Sequence, residues 1–276
     1  MKVLVAQKCG FCLGVKNAIK MAGELLKQKR EVYSLGPVIH NEEVVAKLAK
    51  EGLKTIENVD DIPGGTVLIR SHGATLEQIE KIKQRGLEIA DATCVLVKRV
   101  QKLAHQLYEG GYKVVIIGDK NHPEVQGVMG YAPDIMVVAD QADIAKLPKD
   151  SKLGIICQTT QSPEHFGEMV GMIAKSGFSE LKVVNTLCRE ATLRQDSAVE
   201  LCKRVDIMFV LGGLHSANTR KLAELCKKYN KNTFHLQNWA ELDKTILSGK
   251  EVAGVTAGAS TPDEVIEEFV NNLSRV

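Results

Sequence analysis

Three cysteines share their surroundings. Cys12 lies in Gly10-Phe11-Cys12-Leu13-Gly14-Val15-Lys16, Cys94 in Asp91-Ala92-Thr93-Cys94-Val95-Leu96-Val97-Lys98, and Cys188 in Asn185-Thr186-Leu187-Cys188-Arg189-Glu190-Ala191-Thr192. Each stands at the mouth of a helical pattern, followed by an apolar strand-like run and then a loop with glycine and histidine. Those loops read Gly36-Pro37-Val38-Ile39-His40, Gly118-Asp119-Lys120-Asn121-His122 and Gly212-Gly213-Leu214-His215. Cys12 to His40 and Cys94 to His122 both span 28 residues, and Cys188 to His215 spans 27. A second polar strand end completes each unit: Arg70-Ser71-His72-Gly73, Gln158-Thr159-Thr160-Gln161 and Ala257-Gly258-Ala259-Ser260. Recurrence of one supersecondary unit marks an internal repeat. Three thiolates with no fourth in register would hold three corners of a 4Fe-4S cluster. Its open fourth iron would then serve as Lewis acid and electron donor. A zinc site of three cysteines and one histidine, His40 or His122, uses the same residues. Burial as ordinary core thiols is the third reading. It suits Cys157, Cys202 and Cys226, which have no repeat partners, better than the three in register. Cys9 is either a spare ligand or a bystander.

The polar strand ends are suited to an anion. Ser260 precedes Thr261-Pro262-Asp263-Glu264, which reads as a helix start with Thr261 as cap, proline in the first turn and Glu264 closing a capping box. Gly258 and Ser260 would offer N–H groups and a hydroxyl at a positive helix end, fit for phosphate oxygens. Ser216 and Asn218 follow His215 in a comparable loop. His40, His72 and His122 add donors that protonate as an anion approaches. His105, His165 and His235 have no such register. Glu124, two residues after His122, could pass protons to a substrate oxygen, with Thr159 as link. It could equally be an early-helix acid that complements the macrodipole. Neither Gly-x-x-x-x-Gly-Lys-Ser/Thr nor Gly-x-Gly-x-x-Gly occurs, which argues against the standard nucleotide loops.

The elements that must position these groups are those of an α/β chain. Apolar runs such as Val67-Leu68-Ile69, Val114–Ile117, Gly154–Ile156, Ile207–Val210 and Val252–Thr256 alternate with helical stripes. Leu96, Val100, Leu103, Ala104 and Leu107 form one stripe, and Val15, Ala18, Ile19, Ala22, Leu25 and Leu26 another. Parallel sheets covered by helices follow. We expect three similar α/β lobes: residues 13–93, 94–185, and 186–276 completed by the N-terminal strand 1–12. In open parallel sheets, the loops at carboxyl strand ends face a shared crevice, so one site at the centre of three lobes is expected.

Composition narrows the function. With 276 residues, 44% hydrophobic and 25% charged, a wholly disordered or collagen-like chain is excluded. Lys+Arg 36 against Asp+Glu 34 gives a net charge of +2, and aromatics are only 4%. Neither a nucleic-acid nor a membrane partner is indicated. No apolar run reaches the length of a membrane span, and Met1–Lys8 does not read as a secretory signal. Seven cysteines are an odd number with one close pair, Cys9 and Cys12, so a disulfide framework is not expected and a cytoplasmic setting is.

Together these motifs resemble the IspH/LytB family of 4-hydroxy-3-methylbut-2-enyl diphosphate reductases, of the methylerythritol phosphate isoprenoid pathway. The resemblance runs from Gly10-Phe11-Cys12 through His40-Asn41, Ser71-His72-Gly73, Asp91–Cys94, His122-Pro123-Glu124-Val125 and Gln158-Thr159-Thr160 to Thr256–Ser260. It implies a pseudo-threefold trefoil of α/β domains around an oxygen-sensitive 4Fe-4S cluster. It also implies two-electron reductive dehydroxylation of an allylic diphosphate to isopentenyl and dimethylallyl diphosphates, fed by an external donor such as ferredoxin or flavodoxin. By the resemblance, Cys12, Cys94 and Cys188 are cluster ligands. His40, His72, His122, Ser216, Asn218 and Ser260 hold the diphosphate, and Glu124 and Thr159 serve proton delivery. Val95, Ala191, His215, Ala217 and Cys9 depart from the family pattern, but none removes a ligand or the acid. Two other classes use the same residues: an iron–sulfur hydro-lyase on another anionic substrate, and a non-catalytic metal or redox sensor.

Overall fold

The computed structural model describes residues 1–28, 31–149, 151–214 and 216–276; His215 and the side chain of Ala217 lie outside the description. The chain opens with β1 (Lys2–Val5) and α1 (Leu13–Lys27). It continues through β2 (Val32–Leu35), α2 (Glu42–Lys50), β3 (Lys54–Ile56), β4 (Thr66–Ile69), α3 (Leu76–Gln84) and β5 (Glu88–Asp91). Then come α4 (Val95–Glu109), β6 (Lys113–Ile117), α5 (Pro123–Met129), β7 (Met136–Val138), α6 (Gln141–Ile144), β8 (Leu153–Cys157), α7 (Pro163–Lys175) and β9 (Leu181–Val183). The last stretch holds α8 (Arg189–Cys202), β10 (Ile207–Leu211), α9 (Ala217–Tyr229), β11 (Thr233–Leu236), β12 (Val252–Ala257) and α10 (Asp263–Leu273).

These strands build three four-stranded sheets of one topology: β3-β2-β4-β5, β7-β6-β8-β9 and β11-β10-β12-β1. Every pairing is parallel. Parallel neighbours need a crossover, so the chain alternates strand and helix. Central strands such as β8 and β10 are buried along their whole length, which is why they read as unbroken apolar runs.

One compact unit comprises residues 1–16, 39–47 and 189–276. Its sheet buries Phe209 and Leu211 on one face against Ile266, Phe269 and Leu273 of α10. Met208 and Val210 on the other face pack with Ala198, Leu201, Leu222 and Ala223 of α8 and α9. This two-residue alternation lets one strand serve two helical layers.

The other unit, residues 17–38 and 48–188, holds two sheets. In one, Val115, Ile117 and Ile155 pack on Phe166, Met169 and Ile173 of α7. Its opposite face, with Val114, Ile116 and Ile156, meets Val100, Ala104 and Leu107 of α4 and Val125 and Val128 of α5. In the other sheet Tyr33, Leu35, Val67 and Ile69 share a core with Ile82 of α3.

Close backbone approach joins the elements of the two sheets within this unit. A Cβ on Gly127 would lie 3.3 Å from the carbonyl oxygen of His72, and one on Gly130 would lie 2.6 Å from Cβ and 3.1 Å from Cα of Thr75. Gly130→Ala is therefore expected to destabilise by about 1–3 kcal/mol through overpacking. Urea unfolding should show a lower midpoint with an unchanged slope.

Candidate active site

The three in-register cysteines occupy equivalent places. Each is the residue immediately before a helix: Cys12 before α1, Cys94 before α4, Cys188 before α8. Each follows an edge strand (β1, β5 or β9), and each donates its N–H to the second residue past the end of the neighbouring strand. Cys12 N–H reaches the carbonyl of Ala259 at 3.2 Å, Cys94 that of Ser71 at 3.0 Å, and Cys188 that of Thr159 at 2.8 Å. The glycines of the histidine loops repeat as faithfully. Gly36, Gly118 and Gly212 each follow a central strand and donate to the last carbonyl of the outer strand, Ile56, Val138 and Leu236, at 2.8, 3.0 and 3.0 Å. The three thiols are partly exposed at helix N-termini.

The remaining thiols are different. Cys157, Cys202 and Cys226 are buried. Burial pushes the Cys157 thiol up, against the hydroxyl of Thr186 beside it. Contact with Cys202, and then burial, push Cys226 up. The same contact draws Cys202 down, and all three are core thiols. Cys9 is partly buried, and burial raises it as well, with the charge of Arg194 acting in the opposite direction.

Within the unit of residues 17–38 and 48–188, six predicted residues form one connected set. Glu124 is 2% exposed, yet both its carboxylate oxygens are engaged by one residue. Thr159 donates its N–H to Oε1 and its hydroxyl to Oε2, each at 2.7 Å. A surface acid serving only the helix dipole would not be so buried or so held. His122 caps α5, its Nδ1 accepting the Glu124 N–H at 3.2 Å, which places the proton of a neutral ring on Nε2. The rings of His72 and His122 meet edge to face, centroids 5.6 Å apart. Cys94 is bonded to the residue before His72, and Cys188 to Thr159 itself.

In the other unit the Ser260 hydroxyl donates to the His40 carbonyl at 3.0 Å, which joins these two predicted residues. Cys12 is bonded to Ala259, next to Ser260. Ser216 caps α9, its Oγ accepting the N–H and hydroxyl of Thr219 at 3.4 and 3.0 Å, and Asn218 is partly buried in the first turn. Two expectations are corrected here. Thr261 does not cap the last helix: Pro262 holds that place, and the Thr261 hydroxyl donates to the Leu211 carbonyl at 3.0 Å. The Gly258 N–H likewise donates to Leu211, at 2.9 Å, so it is not offered to an anion. Both groups are taken by the neighbouring central strand, which a capping pattern cannot reveal.

Sequence reasoning passed over the residues that brace the cysteine loops. Asp91 Oδ1 accepts the Thr93 N–H at 2.9 Å, and Asn185 Oδ1 accepts the Leu187 N–H at 3.0 Å. The Thr186 hydroxyl donates to the Cys157 carbonyl at 2.6 Å. Arg194, 4% exposed, donates from Nη2 to the Gly10 carbonyl at 2.9 Å. An Asx residue three before each of two cysteines was the available signal for the first pair; Arg194 left none.

Comparison with known proteins fits this geometry. The family model described as LytB protein matches residues 3–274. The chain belongs to the LytB family. Curated LytB-family relatives include the 4-hydroxy-3-methylbut-2-enyl diphosphate reductases of Trichlorobacter lovleyi and Pelobacter propionicus. Each is 42% identical over 277 residues, covering 100% of this chain and 99% of the relative. A solved structure of (E)-4-hydroxy-3-methyl-but-2-enyl diphosphate reductase, described as the terminal enzyme of the non-mevalonate pathway, is 42% identical with a TM-score of 0.75, covering all of both chains. The Plasmodium falciparum E-1-hydroxy-2-methyl-but-2-enyl-4-diphosphate reductase superimposes with a TM-score of 0.94 at 31% identity, covering 99% of this chain and 88% of the other.

Proposed function

We propose that this protein is a 4-hydroxy-3-methylbut-2-enyl diphosphate reductase that makes isopentenyl and dimethylallyl diphosphates. The reaction takes an allylic alcohol, two electrons and two protons, and gives the deoxygenated diphosphate and water. The observation that carries the reading is the common register of Cys12, Cys94 and Cys188: partly exposed, each before a helix and each tied to the equivalent strand-end carbonyl. That donor set fits a 4Fe-4S cluster with three protein ligands. When bound, the cluster supplies the electrons and a Lewis-acidic iron. An external carrier such as ferredoxin or flavodoxin would deliver the electrons in a cytoplasmic setting.

The chain's own residues supply the rest. His122, with Nδ1 accepting from the backbone, presents a proton on Nε2 to a diphosphate oxygen. His72, against that ring, and His40, Ser216, Asn218 and Ser260 complete the grip. Glu124 takes a proton and passes it to the Thr159 oxygen, whose own proton moves to the leaving hydroxyl; the 2.7 Å contact is short enough for transfer. Thr159 emerges unchanged.

The test is anaerobic purification, iron and sulfide analysis, and an assay with the allylic diphosphate with and without reductant. Iron near four per chain and reductant-dependent turnover are expected. Zinc in place of iron would reject the cluster, and turnover without reductant would indicate a hydro-lyase. Charge-assisted hydrogen bonds contribute about 1.5–3 kcal/mol each, so His40→Ala or Ser260→Ala should weaken substrate binding by about one to two decades. Because the Ser260 hydroxyl holds the His40 carbonyl, the double variant should lose less than the sum of the singles. Titration of cluster-loaded variants reads this directly.

A further inference from the structure

The threefold repeat allows the cysteine loops to be compared position by position. Three residues before Cys94 and Cys188 stand Asp91 and Asn185, each accepting the N–H of the residue just before its cysteine. Such Asx turns brace a loop from within. Asp91 is further held by Lys98 Nζ at 2.6 Å. At the same place in the first loop stands Cys9, whose sulfur is a weak acceptor. The first loop cannot brace itself in this way.

It is held from outside instead. Gly10 has φ of 73°, and a Cβ there would lie 2.8 Å from Asp263 Oδ1 and 3.0 Å from Ile266 Cδ1, so α10 backs the loop closely on one side. Arg194 of α8 also holds it, through Nη2 to the Gly10 carbonyl at 2.9 Å. Nη1 reaches the Glu190 carbonyl at 3.5 Å, and Nε has no hydrogen-bond partner among the described residues. The guanidinium is thus buried with its hydrogen bonds going to backbone carbonyls rather than to a carboxylate. Burying a charge in that manner is costly and calls for a nearby anion.

We infer that Arg194 is the positioning residue of the Cys12 loop, replacing from α8 the Asx brace that the other two loops carry, and that its charge offsets the anionic cluster. This rests on reading Cys12, Cys94 and Cys188 as the cluster ligands. Residues that orient metal ligands commonly change metal affinity by about 10–100-fold when replaced. Arg194→Met should therefore release iron to a chelator about tenfold faster than the parent and alter the EPR spectrum of the reduced cluster. Arg194→Lys, which keeps the charge but not the planar fork, should fall between them. Adding Cys9→Asn to Arg194→Met, which installs the missing Asx brace, should recover most of the retention. Far-UV circular dichroism of the apo forms separates a loosened loop from an unfolded chain; should Arg194→Met unfold, Arg194→Lys is read in its place. Parent-like iron release and EPR in the folded variant overturn the inference, as does a double variant that loses iron as fast as Arg194→Met. A parent protein without iron overturns the cluster reading itself.

Discussion

Serine in place of Cys12, Cys94 or Cys188 is expected to remove the iron and reduce turnover to the level of a control without enzyme. On the proposed reading each thiol is one of three equivalent ligands, and the other two cannot close the set. Serine is nearly isosteric but binds iron far more weakly than thiolate, so the change tests ligation and not packing. Cys202→Ser and Cys226→Ser supply the contrast. Both thiols are buried between α8 and α9, and a hydroxyl placed there costs about 1–3 kcal/mol of stability. Iron content should nonetheless match the parent. Anaerobic iron analysis of all five variants, with melting curves, decides the matter: iron loss spread evenly over the five would show that position in the repeat does not select the ligands.

Glu124→Gln should retain its cluster and bind substrate while losing at least about a hundredfold in turnover. The amide keeps the shape of the carboxylate, and its oxygen can still accept one bond from Thr159. It cannot ionise, so no proton passes to Thr159. Its NH2 would also face the Thr159 N–H or hydroxyl, where Glu124 accepts two bonds at 2.7 Å, and one of those contacts must turn. Thr159→Val removes the link while leaving the acid, and should lose turnover by the same mechanism. The measurement is single-turnover kinetics with excess reductant; near-parent rates in Glu124→Gln would place the proton source elsewhere.

Much of this arrangement was legible in the sequence because the chain says it three times. The central strands β4, β6, β8, β10 and β12 are buried on both faces, and their apolar runs name them without ambiguity. The short edge strands β3 and β9 hide. Lys54–Ile56 is mostly exposed and Leu181–Val183 only partly covered, so three residues of mixed polarity carry no periodic signal. Candidate site residues stand out in the sequence where they recur, as with the cysteines and histidine loops, or where two rare types sit together, as with His122 and Glu124. What stayed hidden was a contact such as that of Arg194 with the Gly10 carbonyl, which only the fold creates.

Strand β1 has a consequence for how the protein is made. Lys2 pairs with Val252 and Val5 with Val255, so β1 waits for β12. Contacts of such high sequence separation form late, because the intervening chain must be ordered before the two strands meet. The Cys94 and Cys188 loops lie in the unit of residues 17–38 and 48–188, whose two sheets need nothing beyond residue 188. Cys12 depends on Ala259 for its backbone bond. The Cys94 and Cys188 loops can therefore form before β12 is made, whereas the Cys12 bond to Ala259 comes only after it. A nascent chain halted before Val252 has Arg194 to hold the Gly10 carbonyl but neither β12 nor Ala259, so the backbone bond of Cys12 waits for them.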